Sequence, residues 1–180
     1  YLYPEIKEYL NEEEIQLIEE KIKDYSKSEL ESLRKSGEND HYICQLIRQD
    51  SIQEFIAYIN QKSIEKYDKI VPSIYETNQF LIQKEPTIIE YAAFFGSIRI
   101  LQYYGNGLDE LPDSLWIYGI HSNNSEIINF IEKEVSLKTI EYEQCLEESI
   151  KCHHNEIASY IFDDLIDEKD KQNRLLKNFD

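Results

Sequence analysis

Thr87-Ile88-Ile89-Glu90-Tyr91-Ala92-Ala93-Phe94-Phe95-Gly96-Ser97-Ile98-Arg99-Ile100-Leu101-Gln102-Tyr103-Tyr104 is the stretch on which the fold turns. Small Ala92 and Ala93 let two helices approach closely, and Gly96 permits the φ > 0 backbone of a tight inter-helix turn. Moved on by about 27 positions, Ile100-Leu101 become Ile127-Ile128, Tyr103-Tyr104 become Phe130-Ile131, and Gly96 becomes Asn123. A further step of about 30 brings Ile157-Ala158, Tyr160-Ile161 and His153 to the same places. Asn and His are among the residues that best tolerate a left-handed conformation. A first, irregular copy at Asp40 to Gln61 puts Ile43, Leu46 and Ile47 on one helix face, Gln49-Asp50-Ser51 in the turn, and Ile52, Phe55, Ile56 and Ile59 on the returning helix. A repeated helix pair cannot bury its apolar face alone and must stack on its neighbours, so the register predicts an all-α helix-turn-helix repeat solenoid.

In this register, Thr87 to Gly96 stand where ankyrin repeats have Thr-Pro-Leu-His-x-Ala-Ala-x-x-Gly, and Ile98, Ile100, Leu101 and Tyr104 take the apolar places of the outer helix. Residues 40–162 resemble the divergent ankyrin-repeat domains of unknown function. Spacings of about 27 and 30, shorter than the about 33 of that family, imply a reduced β-turn finger between pairs. The resemblance implies protein–protein interaction or scaffolding through the concave face of the inner helices, by the residue before the Ala-Ala pair and the two after it. Carried over, these are Tyr91, Phe94 and Phe95, then Tyr118, His121 and Ser122, then Glu148, Lys151 and Cys152, and in the first copy Gln45, Arg48 and Gln49. A tetratricopeptide or HEAT array is the alternative solenoid.

The rest of the chain divides around this repeat region. Residues 1–36 read as an N-terminal helical cap: Asn11 with Glu14 is a capping-box-like start, Ile15, Ile18 and Ile22 form an apolar stripe, and Ser28 opens a helix that carries Leu30 and Leu33 and ends near Gly37. An insertion at about 62–86, with Pro72 and Pro86 as breakers around Ile74-Tyr75 and Phe80-Leu81-Ile82, is expected to project as an extended finger or a short extra helix. Residues 163–180 read as a closing helix and frayed tail.

Composition narrows the function. Of 180 residues 41% are apolar, with no run long enough to span a membrane, so membrane insertion is not expected. The first ten residues do not make a signal peptide, although the absence of Met implies a trimmed N-terminus. The net charge of −17 is uneven: residues 1–40 hold 12 acids against 6 bases, 41–104 hold 7 against 6, and 105–180 hold 17 against 7. Both ends should repel phosphate backbones and no Lys/Arg stripe exists, which argues against nucleic acid and makes the near-neutral middle the docking surface. Cys44, Cys145 and Cys152 lack framework spacing and fit an intracellular, cytoplasmic setting.

Cys145, Glu148, Cys152, His153 and His154 form the one sequence cluster that admits chemistry. Cys145 and Cys152 share a helical face with Glu148 one turn before Cys152, which would suit zinc or a nucleophile. The repeat register explains the same positions without chemistry, since Cys145 matches core Ile88 and Leu115, and His153 matches Gly96 in the turn. The expectation is therefore no enzyme, no cofactor and no metal. The acidic run Asp163 to Asp170 lacks the Gly and alternation of a calcium loop and reads as a solvated face. Two readings stand beside a partner-binding module: a structural subunit of a larger intracellular assembly, and a metal-binding enzyme built on the Cys/His cluster.

Overall fold

The computed structural model describes residues 6–23, 25–105, 111–135 and 140–166, and every regular element in them is helical. After a 3₁₀ turn at Lys7–Tyr9 come α1 (Glu12–Ile22), α2 (Lys27–Ser36), α3 (Tyr42–Arg48), α4 (Ile52–Lys62), α5 (Gln79–Lys84), α6 (Ile88–Phe94), α7 (Ile98–Gly105), α8 (Leu115–His121), α9 (Ser125–Glu134), α10 (Tyr142–Lys151) and α11 (Asn155–Tyr160). A π-helical turn, Ile161–Leu165, follows α11. Of the closing helix expected at 163–180, residues 167–180 lie outside the described residues, as does half of the acidic run. No described helix is long and apolar enough to cross a membrane.

Contacts divide the chain into two units, one of Tyr1–Gln45 with Ile70–Glu85 and one of Leu46–Lys69 with Pro86–Asp180. In the first, α1 opens on the capping box read from the sequence, with the Asn11 side chain accepting from the Glu14 N–H and the Glu14 carboxylate accepting from the Asn11 N–H. Helix α2 starts two residues earlier than expected: Ser26 is the cap and pairs reciprocally with Glu29, while Ser28 lies inside the helix. Starting there adds helical residues and keeps an acid three places after the cap. Gly37 ends the helix in the left-handed conformation, as expected.

Residues 70–85 of the insertion join this unit through specific polar contacts. Thr77 Oγ1 donates to the Gly37 carbonyl at 2.8 Å, and buried Asn39 donates from Nδ2 to the Val71 carbonyl at 2.8 Å. Tyr25 OH and Ser73 Oγ both donate to the Asp40 carboxylate, at 2.6 and 2.5 Å. Burial opposes ionisation of Asp40, but these two hydrogen bonds, its own backbone and nearby His41 together hold its pKa below the ordinary value. The segment contains the short helix α5, where Leu81 is buried, Phe80 half-buried and Ile82 exposed.

The second unit is a succession of helix pairs. Its inner helices pack in sequence, α6 on α8 and α8 on α10, while α4, α7 and α9 form the corresponding outer row, each inner helix also packing on the outer helix that follows it. The turns are copies of one another. Asp50, Gly96, Asn123 and His153 have φ of 48°, 73°, 48° and 59°. At Asp50, Gly96 and His153 the N–H donates to the carbonyl three residues back, and the next N–H donates to the carbonyl five back, as in Ser97 to Ala92 at 2.9 Å and His154 to Ser149 at 2.9 Å. This is the Schellman closure that satisfies helix-end carbonyls. In the third turn Asn123 makes the first bond, and the Asn124 N–H meets Ser122 Oγ.

Small residues recur where inner and outer helices cross: Ala92, Gly119 and Ser149 are all buried. A Cβ on Gly119 would stand 2.5 Å from the Ile131 Cδ1 methyl, so the close approach needs glycine or a shifted Ile131. Consecutive pairs are also tied by polar bridges. Ser97 Oγ donates to the Ile47 carbonyl at 2.6 Å, and two copies later His154 Nδ1 donates to the Ile120 carbonyl at 2.8 Å. A carbonyl only accepts, so this contact places a proton on His154 Nδ1. The Asp50 carboxylate caps α7 by accepting from the Arg99 and Ile100 N–H groups at 3.0 and 3.1 Å. Turn residues therefore both end one helix and begin contacts with the next copy.

Candidate functional site

The carried-over positions fall at the C-terminal ends of the inner helices, because each lies five, two or one residues before a left-handed turn residue. Ten of them belong to the second unit, together with Cys152. Gln45 belongs to the first, where its side-chain amide donates to the Asp40 carbonyl at 2.8 Å. Burial divides the row. Tyr91, Tyr118 and Phe94 retain 1%, 5% and 9% exposure and are packing residues. Arg48, Phe95, His121, Ser122, Glu148 and Cys152 are half-buried, while Gln49 and Lys151 are exposed. The surface is therefore less aromatic at its centre than the resemblance implies, and Phe95 is the aromatic that remains accessible there.

These side chains touch one another in an unbroken series across the copies. Arg48 Nη1 donates to Tyr91 OH at 2.9 Å, and its guanidinium carbon lies 5.8 Å from the Phe95 ring centre, within cation–π range. Phe95 packs on Tyr91 and on Phe94 with ring centres 4.7 and 5.0 Å apart. Phe94 stacks on His121 of the next copy at 4.8 Å. His121 then reaches the third inner helix, with Nε2 3.1 Å from Glu148 Oε1 and Nδ1 3.5 Å from Cys152 Sγ. Lys151 Nζ approaches the other Glu148 oxygen at 3.4 Å.

The electrostatics follow the burial. Desolvation pulls the His121 pKa below its ordinary value against the opposing pull of Glu148, with His154 adding a smaller push in the same direction as burial. A carboxylate only accepts, so the Nε2 contact is a donation from His121 and leaves Nδ1 facing the Cys152 thiol. Burial and Glu148 push the Cys152 thiol up, with Lys151 pulling the other way. Cys145, buried in the core, is pushed up to about 12, mainly by desolvation.

The five-residue sequence cluster is thus taken apart. Cys145 packs in the interior, His153 forms the left-handed turn, and His154 is spent on the Ile120 carbonyl. Glu148 and Cys152 remain together, and among the described residues the histidine that joins them is His121 from α8. Sequence reasoning placed His121 in the binding row but not with Cys152. The signal was available in the register: inner helices of adjacent copies are neighbours, and His121 sits one turn after Tyr118, whose counterpart is Glu148. Compared with known proteins, the chain matches no family model, no curated protein and no solved structure.

Proposed function

We propose that this chain is an ankyrin-like repeat solenoid that binds another protein across the ends of its inner helices. The observation that carries this reading is the contact series from Arg48 through Phe95 and His121 to Lys151, to which each of the four copies contributes a row residue that stays at least partly accessible. The fourfold left-handed turn supports the repeat assignment, since it falls at the four positions that the register equates. Arg48 and Phe95 offer an arginine and an aromatic side by side, the residue types that most often anchor protein interfaces. The excess of acids, with a net charge of −17, favours a protein partner over nucleic acid. The three free cysteines fit a cytoplasmic module, and the reading assigns it no catalysis.

Site-specific photo-crosslinking in the native cell tests this. A crosslinker at Gln49 or Lys151 should capture one recurring partner, and the same group at Asn129 on α9 or Glu54 on α4 should not. Arg48→Ala combined with Phe95→Ala should abolish capture while leaving the helical signal intact. Equal capture from outer and inner helices would reject the inner-row interface.

A further inference from the structure

We infer that His121, Glu148 and Cys152 form a zinc site. One ligand atom from each residue, a ring nitrogen, a carboxylate oxygen and a sulfur, lies within 4.8 Å of the others. With His121 Nε2 as the nitrogen, the separations are 3.1 Å to Glu148 Oε1 and 3.9 Å to Cys152 Sγ. Zn–N and Zn–O bonds near 2.0–2.1 Å and a Zn–S bond near 2.3 Å, at tetrahedral angles, require ligand atoms about 3.3–3.6 Å apart. These two separations bracket that range and the Glu148–Cys152 pair lies within 4.8 Å, so side-chain adjustment of about 1 Å closes the site around an ion.

The arrangement is held from two sides. Glu148 and Cys152 are four residues apart on one helical turn and present their ligand atoms together. His121 comes from the adjacent inner helix, its ring plane fixed by the stack on Phe94. Lys151 holds the second carboxylate oxygen and leaves Oε1 for the ion. Sulfur, imidazole and carboxylate donors in a set of three select a borderline divalent ion over calcium or magnesium. The three residues are half-buried, so the fourth position is open to water. Binding replaces the His121–Glu148 hydrogen bond with two metal bonds, moves the imidazole proton to Nδ1, and releases the Cys152 thiol proton to solvent.

The test uses the full chain, stripped with chelator and titrated with Co²⁺, then with Zn²⁺. One Co²⁺ per chain is expected, with the intense d–d absorption of tetrahedral coordination and a thiolate-to-cobalt charge-transfer band, both erased by Zn²⁺. Cys152→Ser should remove the charge-transfer band and weaken binding by at least about 10-fold, as should His121→Gln for the affinity. His153→Ala, at the exposed turn, should change nothing. Circular dichroism in chelator verifies that each variant is folded. Should a variant fail to fold, alkylation of the wild type decides: Zn²⁺ must protect Cys152, the half-exposed thiol, from iodoacetamide. Weak octahedral absorption without a thiolate band, a spectrum indifferent to Cys152→Ser, or unchanged alkylation would overturn the site.

Discussion

Helices α6 and α10 hold the same place in two copies of one helix pair, yet the first spends its row positions on packing and the second on polar contacts. Tyr91, Phe94 and Phe95 correspond to Glu148, Lys151 and Cys152. Tyr91 and Phe94 are buried, whereas Glu148 and Cys152 are half-buried and Lys151 is exposed. The backbone closes identically after both, through left-handed Gly96 and His153. A repeat therefore fixes where side chains point, while the residues in each copy decide whether that direction yields core or chemistry.

The largest expected effect tests that contrast directly. Tyr91→Ala empties a fully enclosed aromatic site and removes one hydrogen-bond partner of Arg48, so it should cost about 3–5 kcal/mol in urea denaturation. Glu148→Ala, at the equivalent place, removes only half-buried polar contacts to His121 and Lys151 and should cost about 1 kcal/mol or less in metal-free buffer. Equal losses at the two positions would mean that α10 is as much a core element as α6, and the contrast would fail.

That contrast also marks how far the sequence could be read. Helix pairs, turns and the left-handed positions were legible because they rest on local chemistry: Gly, Asn, Asp and His at the turn, and Ala, Gly or Ser at the crossing. The burial of Tyr75 and Leu81 within an irregular insertion was not legible, since residues 70–85 lack the repeat period and are held by bonds such as Ser73 to Asp40. Burial of Tyr91 and Tyr118 depends on how closely adjacent inner helices pack, which no residue spacing states. The triad with His121 escaped for the same reason: a search along one helix finds Cys145, while the ligand atom that meets Cys152 comes from the neighbouring copy.

A second comparison concerns the faces of the copies. Ile120 and Ile150 are equivalent, and the first is fully buried while the second is 55% exposed. Ile120 precedes a further inner helix, α10, that packs on its own helix α8, and its carbonyl receives His154. Ile120→Ala should cost about 2–4 kcal/mol and Ile150→Ala about 0.5 kcal/mol or less. A large loss from Ile150→Ala would show that other parts of the chain cover this residue in solution, and the two copies would then be equal in burial.

The smallest effect lies in the turns, where the copies agree in geometry and differ only in residue. A Cβ at Gly96 would find ordinary contact distances, 3.5 Å to Ser122 Cβ being the nearest, so the cost of Gly96→Ala is the φ of 73° alone. An L-residue in the left-handed region costs about 1–2 kcal/mol, and Gly96→Ala should lose that much. His153 already carries this strain at φ 59°. His153→Gly relieves it but adds about 0.5–1 kcal/mol of chain entropy to the unfolded state, so the net change should stay within about 1 kcal/mol of zero. The pair of measurements separates backbone strain from side-chain packing, because neither substitution removes a contact of the row. If Gly96→Ala were neutral, the turn would be able to relax out of the left-handed region, and the four-copy turn would lose its force as the mark of a common register.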